Sequence, residues 1–298
     1  MRRGRTRTDT LAFFLHTRRW VTRAAALLLI LSLCATLAPR PAQAWGATAH
    51  RLITSKAIET LPPELRPFFE SSRNELARHC VTPMEWAQRD PEEQHNQRIQ
   101  LEKYGPFPFD ALPRDYRVAS RKLGERNVRA NGVLPWQIGI YQERLTKAFK
   151  AGEWAEAREL AAVLAYYVAR AHDPFSTTEN HDGILSGQPG VNRRFSTQLV
   201  DRFSAFFFIR PNEAVYLADP TDHAFEMTMS AHSWLEKVLL SDRRAQRGLT
   251  GHNDEYYDRF YNQAGAILIR EITDAATDVG SYWLTAWINA GRPALPSN

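Results

Sequence analysis

Cysteine is almost missing from this chain, with two residues in 298, Cys34 and Cys80. Cys34 lies in an N-terminal stretch that reads as a cleaved secretory signal, which leaves Cys80 as the one thiol of the remainder. A lone thiol closes no intramolecular disulfide, so the fold must rest on burial, and Cys80 is expected to be buried as a small hydrophobe. Long apolar runs are equally scarce. The candidate, Ala24 to Leu37, is shorter than the ~20 residues a spanning helix needs. No alternating strand pattern, internal repeat or low-complexity linker occurs, and neither a Gly-x-Ser-x-Gly elbow nor a Cys/His nucleophile arrangement is present.

What the N-terminus does contain is an address. Arg2 to Arg23 is basic, Ala24 to Leu37 apolar, and Ala42-Gln43-Ala44 a small-x-small cleavage site that would leave Trp45 first. This divides the chain into a signal peptide, 1–44, and a mature part, 45–298, with a secreted or periplasmic destination and no expected membrane span. A retained anchor is the alternative. A lipoprotein would need a small residue before Cys34, where Leu33 stands. Residues 1–44 hold eight Arg and one Asp, so the mature part carries 30 basic and 32 acidic side chains, net −2. Bulk charge therefore gives no reason to expect a nucleic-acid or anionic-membrane partner.

The mature part is long enough for one large domain, and almost every segment has helical periodicity. Leu52, Ile53, Ala57, Ile58 and Leu61 form one apolar face, stopped by Pro62-Pro63. Further helices are expected over 64–78, 112–123, 136–149, 154–171, 191–208, 219–247, 253–277 and 281–290. Proline-rich 79–111 and turn-rich 172–190 are expected as loops. On the helix 154–171, Tyr166 and Arg170 are four apart and share a face. The fold class expected is all-α.

Several segments then match a known pattern in order and spacing. They are Trp45-Gly46 with His50, Asp90-Pro91-Glu92-Glu93 leading to Tyr104-Gly105, Gly132 through Trp136, His172-Asp173-Pro174-Phe175, Asn180-His181-Asp182-Gly183, Gly187 to Arg194, and Ala286-Trp287 to Pro293. Together they resemble the zinc-dependent phospholipase C family, which also contains the fungal single-strand nucleases. The resemblance implies a single multi-helix domain of that type. It also implies a cluster of zinc ions held by the N-terminal Trp, histidines and carboxylates, whose bound water attacks a phosphodiester. Carried over position by position, the ligand sites fall on Trp45, His50, Met84, Gln97, Tyr166, Arg170, Ser176, Asn192 and Ser196. Trp45 and His50 match. The other positions have lost their donors, and Arg170 puts a permanent cation where a bridging carboxylate belongs.

The expectation is therefore a dismantled zinc site with no cofactor and no catalytic residue, in a non-catalytic binding protein. The alternative is a zinc-dependent phosphodiester hydrolase, phospholipase C or nuclease, using substitute ligands around Trp45 and His50. Arg170 is expected in the cleft floor, paired either with an acid such as Asp90, Glu92, Glu93 or Asp173, or with a small phosphoryl or carboxylate ligand. His95 and His79 are weighed as replacement ligands, and His223 and His232 as core-edge or surface histidines. Asp254 to Asp258 reads as an acidic helix start, and Arg193-Arg194 as a water-facing pair.

Overall fold

The computed structural model describes residues 45–296. They belong to the second of two units in the chain, Ala42–Asn298. The expected signal, 1–44, lies outside the described residues, and with it the cleavage site. The described residues are helical with no strand. No helix among them is long and apolar enough to cross a membrane.

The elements, in order, are α1 (Ala47–Glu59), α2 (Arg66–Glu70), α3 (Arg73–His79), α4 (Thr82–Arg89), α5 (Glu93–Asn96), α6 (Tyr116–Leu123), α7 (Glu125–Ala130), α8 (Leu134–Ala151), α9 (Trp154–Ala171), α10 (Leu199–Phe203), α11 (Pro220–His232), α12 (Leu235–Gln246) and α13 (Asp254–Asn289). Their starts follow local chemistry. Asp115 accepts from the Val118 N–H at 2.8 Å, Asp219 from the Thr221 and Asp222 N–H groups, and Asn253 from the Tyr256 N–H. Each side chain satisfies a first-turn donor that has no intrahelical acceptor.

Helix α9 is the hub. It packs against α8, α13, α1 and α3, and from Leu160 to Ala171 every residue is buried. The hydrophobic core spreads from it through Trp45, Phe68, Phe69, Phe149 and Trp283, with Phe69 and Trp283 stacked at 4.3 Å. Cys80 is part of that core.

Several expected boundaries are corrected. The stretch 79–111 is not all loop, because α4 and α5 form within it. The expected helix 64–78 breaks at Ser71-Ser72 into α2 and α3, and 219–247 breaks at Ser233-Trp234 into α11 and α12. The expected helix 191–208 winds into a π-helical turn at Arg193–Gln198 and leaves regular helix at Phe203, beyond which a short 3-10 turn ends at Phe206. The two helices expected over 253–290 are one, α13, continuous across Gly280. That glycine marks a crossing rather than a stop. A Cβ there would lie 1.9 Å from Thr60 Oγ1, where α13 crosses the end of α1. The segment leading into α11 runs along α13, with the N–H groups of Asn212, Val215 and Leu217 donating to the hydroxyls of Thr277, Ser281 and Thr285. Those hydroxyls recur every fourth residue, so one face of α13 replaces a neighbouring strand.

Candidate functional site

The C-terminal end of α9, the start of α1, the 96–101 segment and the π-helical turn supply most of the expected positions. The segment is pinned on two sides. Ile99 and Leu101 donate to Ser176 O at 2.8 Å and Thr177 O at 3.1 Å, and the Leu134 N–H donates to Arg98 O at 3.2 Å. Gly132 makes the second contact possible. It adopts φ +94°, and a Cβ there would sit 2.2 Å from Arg98 O.

A chain of contacts joins the site. The His50 ring stacks on Tyr166 with centroids 4.3 Å apart. Tyr166 donates its hydroxyl to Gln97 Oε1 at 2.7 Å, and Gln97 Nε2 donates to Pro83 O at 2.8 Å. Arg170 Nε donates to Gln97 O at 3.0 Å. Trp45 is anchored through Nε1 to Ala169 O at 2.7 Å, and the Gly46 N–H donates to Ser196 O. Ser176 closes the short 3-10 turn after Asp173. Met84 joins the hydrophobic core instead. Asn192 turns its amide N–H to His181 O at 2.8 Å.

Arg170 is 8% exposed, and among the described residues no carboxylate comes within 4.0 Å of its guanidinium. Asp90 and Glu92 are exposed, and Glu93 accepts from Tyr167, Asn96 and Gln97. The internal ion pair expected for Arg170 is therefore replaced by a main-chain acceptor and a longer-range attraction to Asp173. Burial raises Asp173 to about 6, against the opposing pull of Arg170, the Phe175 N–H, the Ser196 hydroxyl and the Trp45 N–H. Burial, then the charge of Arg170, holds the His50 imidazole well below its usual value. Burial carries Tyr166 up to about 12. At neutral pH the site is thus a buried guanidinium with a neutral imidazole, a neutral phenol and one mostly ionised carboxylate.

Its second feature is unmet hydrogen-bonding capacity. Both nitrogens of His50, the Ser176 hydroxyl and Asn192 Oδ1 are buried without a hydrogen-bond partner among the described residues, while the Ser196 hydroxyl lies beside the Asp173 carboxyl. Such unpartnered atoms are uncommon in folded proteins.

The residue missed by sequence reasoning is Arg98. It is half-buried, its Nε has no partner among the described residues, and burial together with the charge of Arg170 disfavours its protonated form. A single arginine in an irregular segment carries no pattern that would have singled it out.

The zinc cluster implied by the resemblance does not fit these residues. Of the positions carried over, Trp45 and His50 keep donors, whereas Met84, Gln97, Tyr166, Arg170, Ser176, Asn192 and Ser196 carry neither an imidazole nor a carboxylate, and Arg170 adds a cation.

Elsewhere, Arg194 is not water-facing. It pairs with Asp242 at 3.0 Å in the interior, next to Tyr256. His223 and the buried His172 both bind Asp278, at 3.0 and 2.9 Å, and His172 Nδ1 lies 3.6 Å from Glu271. His232 contacts Thr177 and the edge of Phe109. His95 is half-buried, and its nearest charged neighbours include Arg98 and Arg129. No protein-family model and no curated protein matches this chain.

Proposed function

We propose that this is a secreted or periplasmic, non-catalytic binding protein of the phospholipase C and nuclease type, whose remodelled cleft takes a small phosphoryl or carboxylate anion at Arg170. The observation that carries the reading is the buried Arg170 guanidinium, which has no carboxylate within 4.0 Å among the described residues. A buried cation without a close counter-charge is costly, and an anion entering beside it removes that cost while gaining charge-assisted hydrogen bonds. The unpartnered groups of His50 and Ser176 supply neutral polar contacts for the same ligand. Asp173, raised to about 6, is mostly a carboxylate at neutral pH and opposes the anion there, so binding should strengthen as pH falls below 6.

The test combines metal analysis with calorimetry on protein purified without chelators. The reading expects no stoichiometric zinc, a fold that survives chelator, and binding of inorganic phosphate or acetate that disappears in Arg170→Met while the urea midpoint is kept. Tightly held zinc, or unfolding on chelation, would replace it with the zinc phosphodiesterase alternative. A destabilised Arg170→Met protein with unchanged anion binding would make Arg170 structural.

A further inference from the structure

We infer that the cavity between α8, the start of α11 and the last turn of α13 is a second binding site, for an uncharged cyclic amide, which it engages through the side-chain amide of Gln142. It shares no residue with the cleft at Arg170.

Helix α8 packs against both α11 and α13, and between them lies an open cavity of about 420 Å³ whose lining includes Gly139, Gln142, Thr221 and Asn289. Gly139 sets one wall. A Cβ there would lie 2.4 Å from Thr221 Oγ1, so the missing side chain is what lets the first turn of α11 close against α8. Gln142 follows three residues on, on the same face of the helix. It is 3% exposed, and neither Nε2 nor Oε1 has a hydrogen-bond partner among the described residues. Its main-chain carbonyl, by contrast, accepts from Thr146 Oγ1 at 2.9 Å. A buried carboxamide with its donors and its acceptor unmet carries a standing penalty that a leucine of similar size would not.

The charges at this cavity are already engaged. Glu143 and Lys147, on its exposed rim, face each other at 4.0 Å, and Asp219 accepts from the Thr221 and Asp222 N–H groups. The groups left over are neutral. They are the Gln142 amide and the amide N–H groups of Asn289, whose Oδ1 accepts from the Tyr216 hydroxyl at 3.1 Å. A carboxamide carries its C=O and one N–H on a single edge, so pairing both at once takes a partner with an N–H and a C=O side by side. A linear peptide bond is trans and holds those groups on opposite sides. A lactam is kept cis by its ring and presents both. The cavity has room for such a ring, since pockets for small molecules run from roughly 300 to 1,000 Å³.

The test is proton–nitrogen correlation NMR of the whole protein, read at the Gln142 side-chain amide, whose signals are assigned by their disappearance in Gln142→Leu. The probes are δ-valerolactam, N-methylacetamide, which carries the same groups trans, and N-methyl-δ-valerolactam, which lacks the donor. The site requires δ-valerolactam to shift the Gln142 amide and to bind roughly threefold to tenfold tighter than either control, the range of one added neutral hydrogen bond. Gln142→Leu should abolish lactam binding, read at the Thr221 and Asn289 signals, and raise the urea midpoint, because it removes the unmet amide. Gln142→Met should do the same, and covers the case in which Gln142→Leu fails to fold. Equal affinity for the three probes, or lactam binding that survives in either variant, would overturn the site. A Gln142 amide untouched by every probe would mean that buried water alone meets it, and would overturn the site equally. A lower urea midpoint in both variants would show that the amide is paired within the fold and remove the premise.

Discussion

The His50 imidazole lies nearly flat on the Tyr166 phenol, centroids 4.3 Å and planes 20° apart, with both of its nitrogens buried and unpartnered among the described residues. The pair keeps the shape of an aromatic contact and does not use the polarity of the histidine. Its position beside Arg170 makes a proton on that ring unwelcome, because burial and a neighbouring cation both act against the charged form.

A pH-dependent stability follows from His50. Its folded value lies well below 6.5, so the unfolded chain takes up a proton that the folded state refuses. The stabilisation is complete above pH 6.5 and is lost as pH falls toward the folded value. His50→Phe keeps the stack and removes the titration. Urea unfolding should show the variant within about 1 kcal/mol of wild type at pH 7.5. Below pH 6.5 wild type should lose up to about 1.4 kcal/mol per pH unit relative to it. Asp173, raised to about 6, acts in the opposite direction and is common to both proteins. Parallel pH curves would mean that the folded imidazole accepts its proton.

Asp278 should be the most expensive surface-proximal acid to remove. It accepts from His172 and His223, and those contacts hold it below the usual carboxylate range despite burial. In return, the carboxylates of Asp278 and Glu271 that accept from its ring outweigh burial and raise His172 to about 10. That contribution is full below pH 6.5 and is lost as pH rises toward 10. Asp278→Asn should cost about 3 kcal/mol at pH 7, because it strips a buried imidazolium of a close partner. It should also flatten the alkaline loss. A cost below about 1 kcal/mol in urea unfolding would mean that Glu271 alone suffices.

Gly280→Ala tests the helix crossing. By helix propensity alone the change should stabilise α13 by roughly 1 kcal/mol. The added methyl would instead meet Thr60 Oγ1 at 1.9 Å and Ala57 O at 3.1 Å. Overpacking should win, with a net loss of about 2 kcal/mol. Thr60→Ala in the same molecule removes the nearest obstacle, so the double variant should be more stable than the sum of the two single changes implies. Strict additivity would place the strain elsewhere.

Local spacing determined much of this protein. The helix 154–171 is found at its expected bounds as α9, and the shared face of Tyr166 and Arg170 follows from their separation of four residues. The acidic start after Asn253 is likewise a local capping decision, and the scarcity of cysteine already made burial the source of stability. What tertiary structure alone decided is where glycine breaks a helix and which charges meet. Gly280 reads as a terminus by sequence, yet its role is set by the approach of Thr60 from the end of α1. Arg194 has its acid on α12, His172 has its acids on α13, and Arg170 has the carbonyl of Gln97 with Arg98 one residue on. Periodicity records which side of an element is buried. The partner a buried charge meets depends on how distant elements pack, and no local pattern encodes that.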